Sequence, residues 1–306
     1  MKGFFTTLLT ILMLASCTER EAMLSNPDDK ADSLALKVGV MPVVDCLPLF
    51  YAQRTGIFDS LDLDVRLVRY QSMMDVDTAL QRKRVQMGYT ALPRIELMAQ
   101  QDSTHLLPLV QGQDGYALML APKSKIRKAK QLGERMVGLA RYTTGDYLSD
   151  LFLQGEGLPL DTVFRPQFND VALRCRMLTD SLVDAAMLPQ PYALQARLSG
   201  CRQMKIAADT LPSLNCLASH RFAAKDTLRQ RQQRLLLAAY DMAVEALQKR
   251  PDSLVLRTIL REDMAVDAAL LDSLRLPRFA KAQAPLPKTV QRSRQWLEAR
   301  RSQVNN

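Results

Sequence analysis

Short apolar runs alternate with longer amphipathic segments between residues 36 and 220, and this pattern predicts alternating strands and helices. Runs rich in Val, Leu and Met indicate buried strands, whereas apolar positions at helical spacing indicate helices. The predicted strands are residues 36–41, 63–70, 85–89, 106–111, 116–121, 136–140, 163–168, 182–187, 204–207 and 214–218. Strands that alternate with helices predict an α/β fold, with parallel sheets covered by helices on both faces.

The predicted helices connect these strands and dominate the chain after Lys225. Gly56 suits the left-handed residue that ends the first helix. The predicted helices are residues 47–55, 75–82, 93–101, 143–154, 171–178, 191–198, 226–248, 253–260, 265–274 and 288–301. The last four form a helical C-terminal extension.

Residues 75–89 and 170–187 repeat one arrangement: an Asp-led helix, a polar turn and a strand. The repeat, and a body of about 270 residues, suit two similar lobes. We expect the connections between them near residues 119–123 and 215–222. The predicted lobes are residues 34–120 with 220–306 (lobe I) and residues 121–219 (lobe II).

Residues 1–17, MKGFFTTLLTILMLASC, have the layout of a secretory signal: Lys2, an apolar run, and small residues before Cys17. The run is shorter than the ~20 residues of a spanning helix, which disfavours the alternative of an uncleaved anchor. The Leu-Ala-Ser-Cys sequence that ends it is similar to a bacterial lipobox. This resemblance implies a signal peptide at residues 1–16, lipid on Cys17 and a lipidated tether at residues 17–33.

Composition and charge restrict the class of the protein. Hydrophobic residues make up 47% of the chain but aromatic residues only 6%, which disfavours a β-sandwich and favours helices. The net charge is +9, with basic clusters at residues 123–135, 229–234 and 288–301. These clusters lack interleaved aromatic residues, and the chain is exported, so we expect no nucleic-acid partner. Two explanations of the basic clusters remain, which are attraction to anionic lipid and solvated helix faces. The second is the favoured explanation.

Four cysteines remain once Cys17 is set aside, and two histidines occur in the whole chain. No CxxC spacing is present, so we predict no metal site and no cofactor. An oxidising envelope permits disulfides, of which we expect at most one. The four cysteines are Cys46, Cys175, Cys201 and Cys216, and Cys175–Cys201 is the first pairing to test.

Several segments, in their order and spacing, resemble one family over roughly residues 36–250. They are VGVMP at 38–42, LPLFYA at 47–52, GYAL at 115–118, QLGERMVG at 131–138, TTGDYL at 143–148, VDAA at 183–186 and PQPY at 189–192. The family is the solute-binding proteins of ABC transporters, of the nitrate/sulfonate/taurine and thiamine-pyrimidine-precursor type. Two departures occur at left-handed turns, where Lys83 and Ser181 replace the usual glycine. Each side chain in a left-handed turn costs about 1 kcal/mol of folding stability.

The resemblance implies a two-lobe, type II periplasmic binding protein fold with the ligand in a cleft between the lobes. It implies a monomer that closes about a hinge and delivers its ligand to a permease and an ATPase on separate chains. The expected location is the cell envelope, lipid-anchored to the inner membrane and facing the periplasm. The ligand is a small polar or anionic metabolite.

Nine residues lie where predicted strands end or helices begin, which places them at the cleft. They are Val44, Asp45, Thr90, Gln111, Gly112, Thr143, Thr144, Gly145 and Gln190. Structural alternatives exist: Asp45 and Thr90 could cap the helices that follow them, Gln111–Gly112 could be an ordinary turn, and Gln190 could lie in a rigid proline turn.

The charge of the ligand stays open. Asp45 and Asp146 favour a cationic or hydrogen-bond-rich molecule such as a pyrimidine, whereas Arg94 and Arg141 favour an anion such as a sulfonate. Three tyrosines could stack on an aromatic ligand: Tyr89, Tyr142 and Tyr192.

Two other classes are alternatives to a binding protein. An envelope enzyme acting on a small metabolite is disfavoured, because the chain has no Ser-His-Asp set, GxSxG motif or phosphate-binding Gly-rich loop. We therefore predict no enzymatic activity. A sensor or docking module that retains the fold is the other alternative. It is supported by Lys83 and Gln86, which stand where the family usually has the glycine and the aspartate of a Gly-x-Val-Asp turn.

Overall fold

The structure is a computed structural model that describes residues 34–102, 104–113, 115–205 and 213–304. The chain divides into two compact units, residues 1–36 and 37–306, and the second contains the fold. The predicted signal peptide, the tether and Cys17 lie outside the described residues. Among the described helices, none is long and apolar enough to cross a membrane.

Nine strands and ten α-helices are present in the described residues. The strands are β1 (Leu36–Val40), β2 (Val65–Arg69), β3 (Met87–Ala91), β4 (Leu106–Gln111), β5 (Tyr116–Leu120), β6 (Val137–Gly138), β7 (Ala185–Pro189), β8 (Arg202–Met204) and β9 (Asn215–His220). The helices are α1 (Leu47–Arg54), α2 (Ile57–Ser60), α3 (Met73–Gln81), α4 (Leu92–Asp102), α5 (Thr144–Gly155), α6 (Val171–Thr179), α7 (Tyr192–Leu198), α8 (Thr227–Lys249), α9 (Ser253–Thr258) and α10 (Pro287–Val304).

The strands form two sheets, and each sheet is the centre of one lobe. The first lobe has the order β2-β1-β3-β9-β4, and the second has the order β6-β7-β5-β8. Helices pack on both, with α3 against β3 and with α5 and α6 against β7. The α/β fold predicted from the sequence is confirmed.

The sheets are mixed, so the prediction of purely parallel sheets is wrong. β1 and β3 are parallel, as are β6 and β7, but β9 runs antiparallel to β3 and β4. β5 likewise runs antiparallel to β7 and β8. The cause is the path of the chain: β5 and β9 each follow a crossing between the sheets, and therefore enter their sheet from the end where the other strands finish.

The chain passes from the first sheet to the second between β4 and β5, and it returns between β8 and β9. The boundaries predicted at residues 120 and 220 each come one strand too late. β5 belongs to the second sheet and β9 to the first. Both are short apolar runs, and nothing in such a run specifies the sheet that it joins.

Local backbone predictions hold at the turns. Gly56 has φ of +71° and stands between α1 and α2, as expected of a left-handed helix end. Lys83 and Ser181 have φ of +55° and +58°, so both do occupy left-handed turns without a glycine. Other predictions shift: the predicted helix 265–274 is a short 3-10 turn, Ala268–Asp272. The predicted helix 253–260 is α-helical as far as Thr258 and continues as a π-helix, Ile259–Asp263.

The C-terminal extension reaches both lobes. α8 packs on α1, and α10 packs on α4 of the first lobe. From α10, the indole of Trp296 donates a hydrogen bond of 2.9 Å to Asp150 on α5 of the second lobe. Its ring meets the Tyr147 ring edge-on, with centroids 5.6 Å apart. The extension, predicted to belong to lobe I, therefore also contacts the second lobe.

Charged side chains form a buried ion cluster at this contact. Asp150 pairs with Arg165, and Arg300 of α10 lies 3.7 Å from Asp150 and 3.9 Å from Asp146. Arg165 also lies 3.9 Å from Asp146. We call Asp146, Asp150, Arg165 and Arg300 the ion cluster. Asp146 therefore lies in a structural contact, and not at the ligand cleft where the sequence placed it.

The four cysteines of the described residues are free and buried. The Cys175–Cys201 disulfide is therefore not formed in this structure. Burial raises the pKa of each of these two thiols to about 11. Cys175 instead donates to the carbonyl oxygen of Tyr192, at 3.6 Å.

Candidate ligand-binding site between the lobes

Loops and helix ends of both lobes meet beside the start of β9. A short 3-10 turn after β1, Val44–Cys46, carries Val44 and Asp45, and α5 of the second lobe begins at Thr144. Because β9 runs antiparallel to β3, its first residue, Asn215, pairs with Ala91 at the end of β3. The strand ends predicted to face a cleft are thus brought together.

A chain of four hydrogen-bonded side chains crosses from one lobe to the other. Tyr89 donates its hydroxyl to Asp45 Oδ2 at 2.9 Å, and Asn215 Nδ2 donates to the Tyr89 oxygen at 2.6 Å. Thr144 then donates to Asn215 Oδ1 at 2.8 Å. We call Asp45, Tyr89, Asn215 and Thr144 the interlobe network. All four side chains are buried.

Backbone groups of both crossing segments complete this network. The amide of Gln113 donates to Asp45 Oδ1 at 2.7 Å, and the amide of Leu214 donates to Thr144 Oγ1 at 3.0 Å. Asp45 thus accepts from a hydroxyl and from a backbone amide. The segments that connect the lobes therefore also fix the side chains between them.

The proton of Tyr89 is held firmly by its surroundings. Burial of the ring and the nearby Asp45 carboxylate raise the tyrosine pKa well above its usual range. Tyr89 therefore stays protonated, donates to Asp45 and accepts from Asn215. The network has a single orientation of donors as a result.

Two of the predicted glycines are needed by the packing. A Cβ on Gly112 would lie 2.5 Å from Asp45 Oδ2 and 3.1 Å from the Asn215 carbonyl oxygen. A Cβ on Gly145 would lie 2.9 Å from the Tyr116 ring. The sequence predicted that Gly112 lies at the ligand cleft. In this structure it allows the backbone to approach Asp45.

A second interlobe contact involves the backbone of Val44 and Gln190. The Val44 amide donates to the Gln190 carbonyl oxygen at 3.0 Å. The Gln190 side chain accepts from the Leu194 amide at 3.2 Å, at the start of α7. Both residues are thus at the predicted interface between the lobes, with Val44 engaged there through its backbone.

Thr90 belongs to a neighbouring buried group. Its hydroxyl donates to Asp77 at 2.5 Å, and Asp77 also pairs with Arg94. Burial raises the pKa of Asp77, although Arg94 acts in the opposite direction. Arg94 further donates to the Arg141 carbonyl oxygen at 3.1 Å. Arg94, which the sequence placed as a receptor for anions, is therefore already paired with a carboxylate.

The remaining predicted residues bond within the protein. Gln111 donates its side chain to the Ser213 carbonyl oxygen at 3.1 Å, and Thr143 donates its hydroxyl to the Ala140 carbonyl oxygen at 2.7 Å. The capping alternatives for Asp45 and Thr90 are wrong. The N-cap of α1 is Cys46, which makes no side-chain capping bond, and α4 begins at Leu92.

Sequence reasoning missed Asn215, Asp77 and Ser213. Asn215 is the central member of the network, and its signal was an amide at the head of an otherwise apolar strand. Asp77 is a carboxylate on the apolar side of α3, where it is buried between Val76 and Ala79. A polar residue in an apolar pattern was the available sign in both cases.

A small cavity of the first lobe adjoins the Asp45 end of the network. Its volume is about 10 Å³, and its lining residues include Asp45, Tyr89, Gly112 and Tyr240. This volume suits roughly one water molecule. The groups of the network bond to one another in this structure, so a metabolite that binds them must displace those bonds. Within the described residues, no group of three or more His, Cys, Asp and Glu side chains could hold a metal ion.

Solved structures show that two lobes of this topology form the fold of periplasmic binding proteins. The aliphatic sulphonate-binding protein SsuA of Escherichia coli is 17% identical and has a TM-score of 0.69, covering 87% of this chain and 91% of that one. The alkanesulfonate-binding SsuA of Xanthomonas axonopodis pv. citri, solved bound to MOPS, is 16% identical with a TM-score of 0.71, covering 86% and 90%.

The nitrate-binding protein NrtA of Synechocystis PCC 6803 has the same fold, at 12% identity and a TM-score of 0.64 over 82% of this chain and 73% of that one. No curated protein sequence matches the chain. The NMT1/THI5-like family pattern matches residues 44–253, well over half of the chain. The protein belongs to this family, and the predicted resemblance and fold are confirmed.

Proposed function

We propose that this protein is the solute-binding component of an ABC importer and captures a small polar or anionic metabolite between its lobes. The observation that carries the proposal is the interlobe network, in which polar groups of both lobes converge where strands end and α5 begins. In α/β proteins, such ends of strands and helices are where small polar ligands bind.

Capture requires the lobes to separate and to close again about the two crossing segments. In the closed arrangement Asn215 and Thr144 satisfy one another, so an incoming ligand must offer groups that replace their hydrogen bond. Each such bond contributes a net free energy of roughly 0.5–1.5 kcal/mol. The binding free energy therefore depends on the difference between the hydrogen bonds that the ligand makes and the hydrogen bonds of the network that it displaces.

Two charged groups distinguish the possible ligand chemistries. Asp45 favours a ligand that donates hydrogen bonds or carries positive charge. Arg141 favours an anion: it is half-buried, and its guanidinium has no hydrogen-bond or ion-pair partner among the described residues. Sulphonate and nitrate, which the solved relatives bind, are anions of this kind.

The proposal includes the predicted position of the protein in the cell. Cys17 carries lipid that holds the chain at the inner membrane, facing the periplasm, and a monomer delivers its ligand to a separate permease and ATPase. The lipobox-like sequence supports the anchor, and the periplasmic relatives support the location. Anchoring would raise the concentration of the binder near its permease.

The proposal assigns no enzymatic activity to the protein. His105 and His220 lie at the opposite end of the first sheet from Asn215, because Leu106 pairs with His220 in the β4–β9 ladder. The His220 ring bonds to the Leu80 carbonyl oxygen at 2.9 Å, and burial lowers its pKa. Neither histidine is therefore placed to act as a base at the network.

A thermal-unfolding screen of the purified full chain tests the proposal. The panel contains thiamine and its pyrimidine precursors, riboflavin, sulfonates, taurine, nitrate and bicarbonate. We expect one class to stabilise the protein by about 2.7 kcal/mol at a hundredfold excess over its dissociation constant. Loss of the shift in Arg141→Ala would identify an anion, and loss in Asp45→Asn would identify a donor or cation.

Matched threonine variants control the screen. Thr144→Val should abolish the ligand shift, while Thr179→Val, which alters an exposed hydroxyl of the second lobe, should leave it intact. A ligand shift that survives in Thr144→Val would place binding outside the network and contradict the proposal.

A sensor or docking module with the same fold is the second candidate. The observation that favours it is that the polar groups of the network satisfy one another. If no member of the panel shifts the unfolding temperature, and a stable protein partner is captured by the folded chain, this candidate replaces the first.

A further inference from the structure

One end of the second sheet has a surface that ligand capture does not use. Strand directions place it opposite the network: β5 runs from Tyr116, near α5, to Leu120, and β7 starts at Ala185 and ends at Pro189, next to Gln190. The residues that follow β5 and the residues that precede β7 therefore lie together at the end of the second sheet that is opposite the network. A cavity of about 310 Å³ there has Lys123, Lys125 and Arg135 among its lining residues.

Three large apolar side chains are exposed at this end. Met136, Phe164 and Leu182 are 41%, 60% and 55% exposed. Met136 and Phe164 pair in a β-bridge, and the Asp184 amide, two residues after Leu182, donates to the Met136 carbonyl oxygen at 3.1 Å. We call these three residues the apolar patch. Exposed apolar side chains grouped on neighbouring backbone segments are typical of an interaction surface.

Six cations lie in the segment that leads from β5 to Met136, and we call them the basic rim. All are exposed, and they lie in a loop and a short 3-10 turn, Ala129–Leu132, instead of on a solvated helix face. Within the described part of the chain, Arg135 alone among them has a carboxylate within 4 Å, Asp184 at 3.8 Å. The rim consists of Lys123, Lys125, Arg127, Lys128, Lys130 and Arg135.

The other two basic clusters differ from the rim. Residues 229–234 and 288–301 lie on α8 and α10, where Arg294 pairs with Glu96 and Arg300 joins the ion cluster. Those clusters are largely accounted for by helix faces and internal pairs. Of the three basic clusters, the rim is therefore the one that the predicted solvated helix faces do not explain.

We propose that the apolar patch and the basic rim together bind the surface of an anionic lipid bilayer. Lysines and arginines near such a surface are attracted to its headgroups, and apolar side chains between them enter the boundary of the acyl chains. Four of the six cations are lysines, which are compact, flexible point charges. They suit a continuous anionic surface better than the fixed carboxylates of a protein partner. The inference is independent of which solute the cleft binds.

A tryptophan introduced at the patch tests the proposal in the full chain. Phe164→Trp and, as a control, Leu254→Trp at a 72% exposed site outside the patch are each incorporated into vesicles with brominated acyl chains. The unaltered chain, whose single tryptophan is Trp296, supplies the background. In vesicles of equal phosphatidylglycerol and phosphatidylcholine, we expect the bromines to quench the added indole of the Phe164→Trp protein. Quenching of the added indole in the Leu254→Trp protein should remain at the background level.

Charge variants separate lipid attraction from simple exposure. In the double variant Lys123→Gln and Lys125→Gln, each charge removed should lower the ratio of protein with a membrane-docked patch to protein with an undocked patch about fivefold. Arg231→Gln with Lys249→Gln, both exposed elsewhere, should have no effect. Equal quenching in pure phosphatidylcholine would overturn the anionic specificity. Absence of quenching, or crosslinking of position 164 to an acidic membrane protein instead of lipid, would overturn the proposal.

Discussion

Helix α5 makes two contacts that differ in charge. Its first residue, Thr144, ends the interlobe network, in which Asp45 is the only charged member. Farther along, Asp146 and Asp150 face the arginines of the ion cluster beneath α10. Bonds among neutral groups exchange with water or ligand at small net cost, whereas removing one member of a buried ion pair leaves a charge uncompensated.

This difference indicates which contact opens. We expect the lobes to part at the network, while α10 stays on α5 and moves with the second lobe. The strain of opening then falls on the contact between α10 and α4, where the two helices pack and Arg294 pairs with Glu96 at 3.1 Å. The following variants sharpen or break this comparison.

Asp150→Ala should have the largest effect on stability. It leaves Arg165, whose side chain is 8% exposed, without its closest carboxylate, and it removes the acceptor of Trp296. We expect the free energy of unfolding in urea to fall by about 3–5 kcal/mol. Asp272→Ala, which breaks a pair whose carboxylate is 70% exposed, is the control and should cost about 1 kcal/mol or less. Equal losses would remove the distinction between the contacts.

Tyr89→Phe should have an intermediate effect. The change deprives Asp45 of a donor and Asn215 of an acceptor inside a buried network. We expect a loss of about 1–3 kcal/mol in the free energy of unfolding. The matched variant is Tyr70→Phe, whose hydroxyl has no hydrogen bond among the described residues. A Tyr89→Phe protein as stable as Tyr70→Phe would show that the network does not hold the lobes.

Arg294→Ala should change stability little. The pair with Glu96 joins side chains that are 59% and 32% exposed, so water and salt screen it. The expected loss is about 1 kcal/mol or less and should vanish at high salt. A loss as large as that of Asp150→Ala would mean that α10 is fixed to the first lobe instead.

Asp146→Asn should produce a small dependence on pH. Burial, with repulsion from Asp150, raises the pKa of Asp146 above its usual 3.8. The stabilisation associated with a raised carboxyl pKa is present at low pH and is lost as the pH rises through the folded-state pKa. The variant should therefore gain stability relative to the parent as pH rises above about 4 in urea unfolding. A difference that is constant with pH would contradict the assigned shift.

Features that depend on neighbours in sequence were predictable. Gly56 ends α1 in the left-handed region, and β4 spans the predicted residues 106–111. The start of α5 was predicted one residue before Thr144. In each case a glycine, a strand pattern or a helix-start pattern specifies the local backbone without information from elsewhere.

Pairings across the chain were not predictable. Tyr89 and Asn215 are 126 residues apart, and Thr144 and Asn215 are 71 apart. The sequence placed Asp45 and Thr144 at one interface, because strand ends and helix starts converge there in α/β folds. It could not show that these groups satisfy one another, since that depends on Asn215, a residue within a predicted strand.

The buried thiols have a consequence for labelling chemistry. Cys46 and Cys216 are buried and have raised pKa values, like Cys175 and Cys201, so almost no reactive thiolate is present at neutral pH. Maleimide dyes should therefore react selectively with cysteines introduced at exposed sites, one in each lobe, such as Asp59→Cys and Asp161→Cys. The protein would then carry a donor and acceptor dye for single-molecule distance measurements, with every cysteine of the folded body left in place.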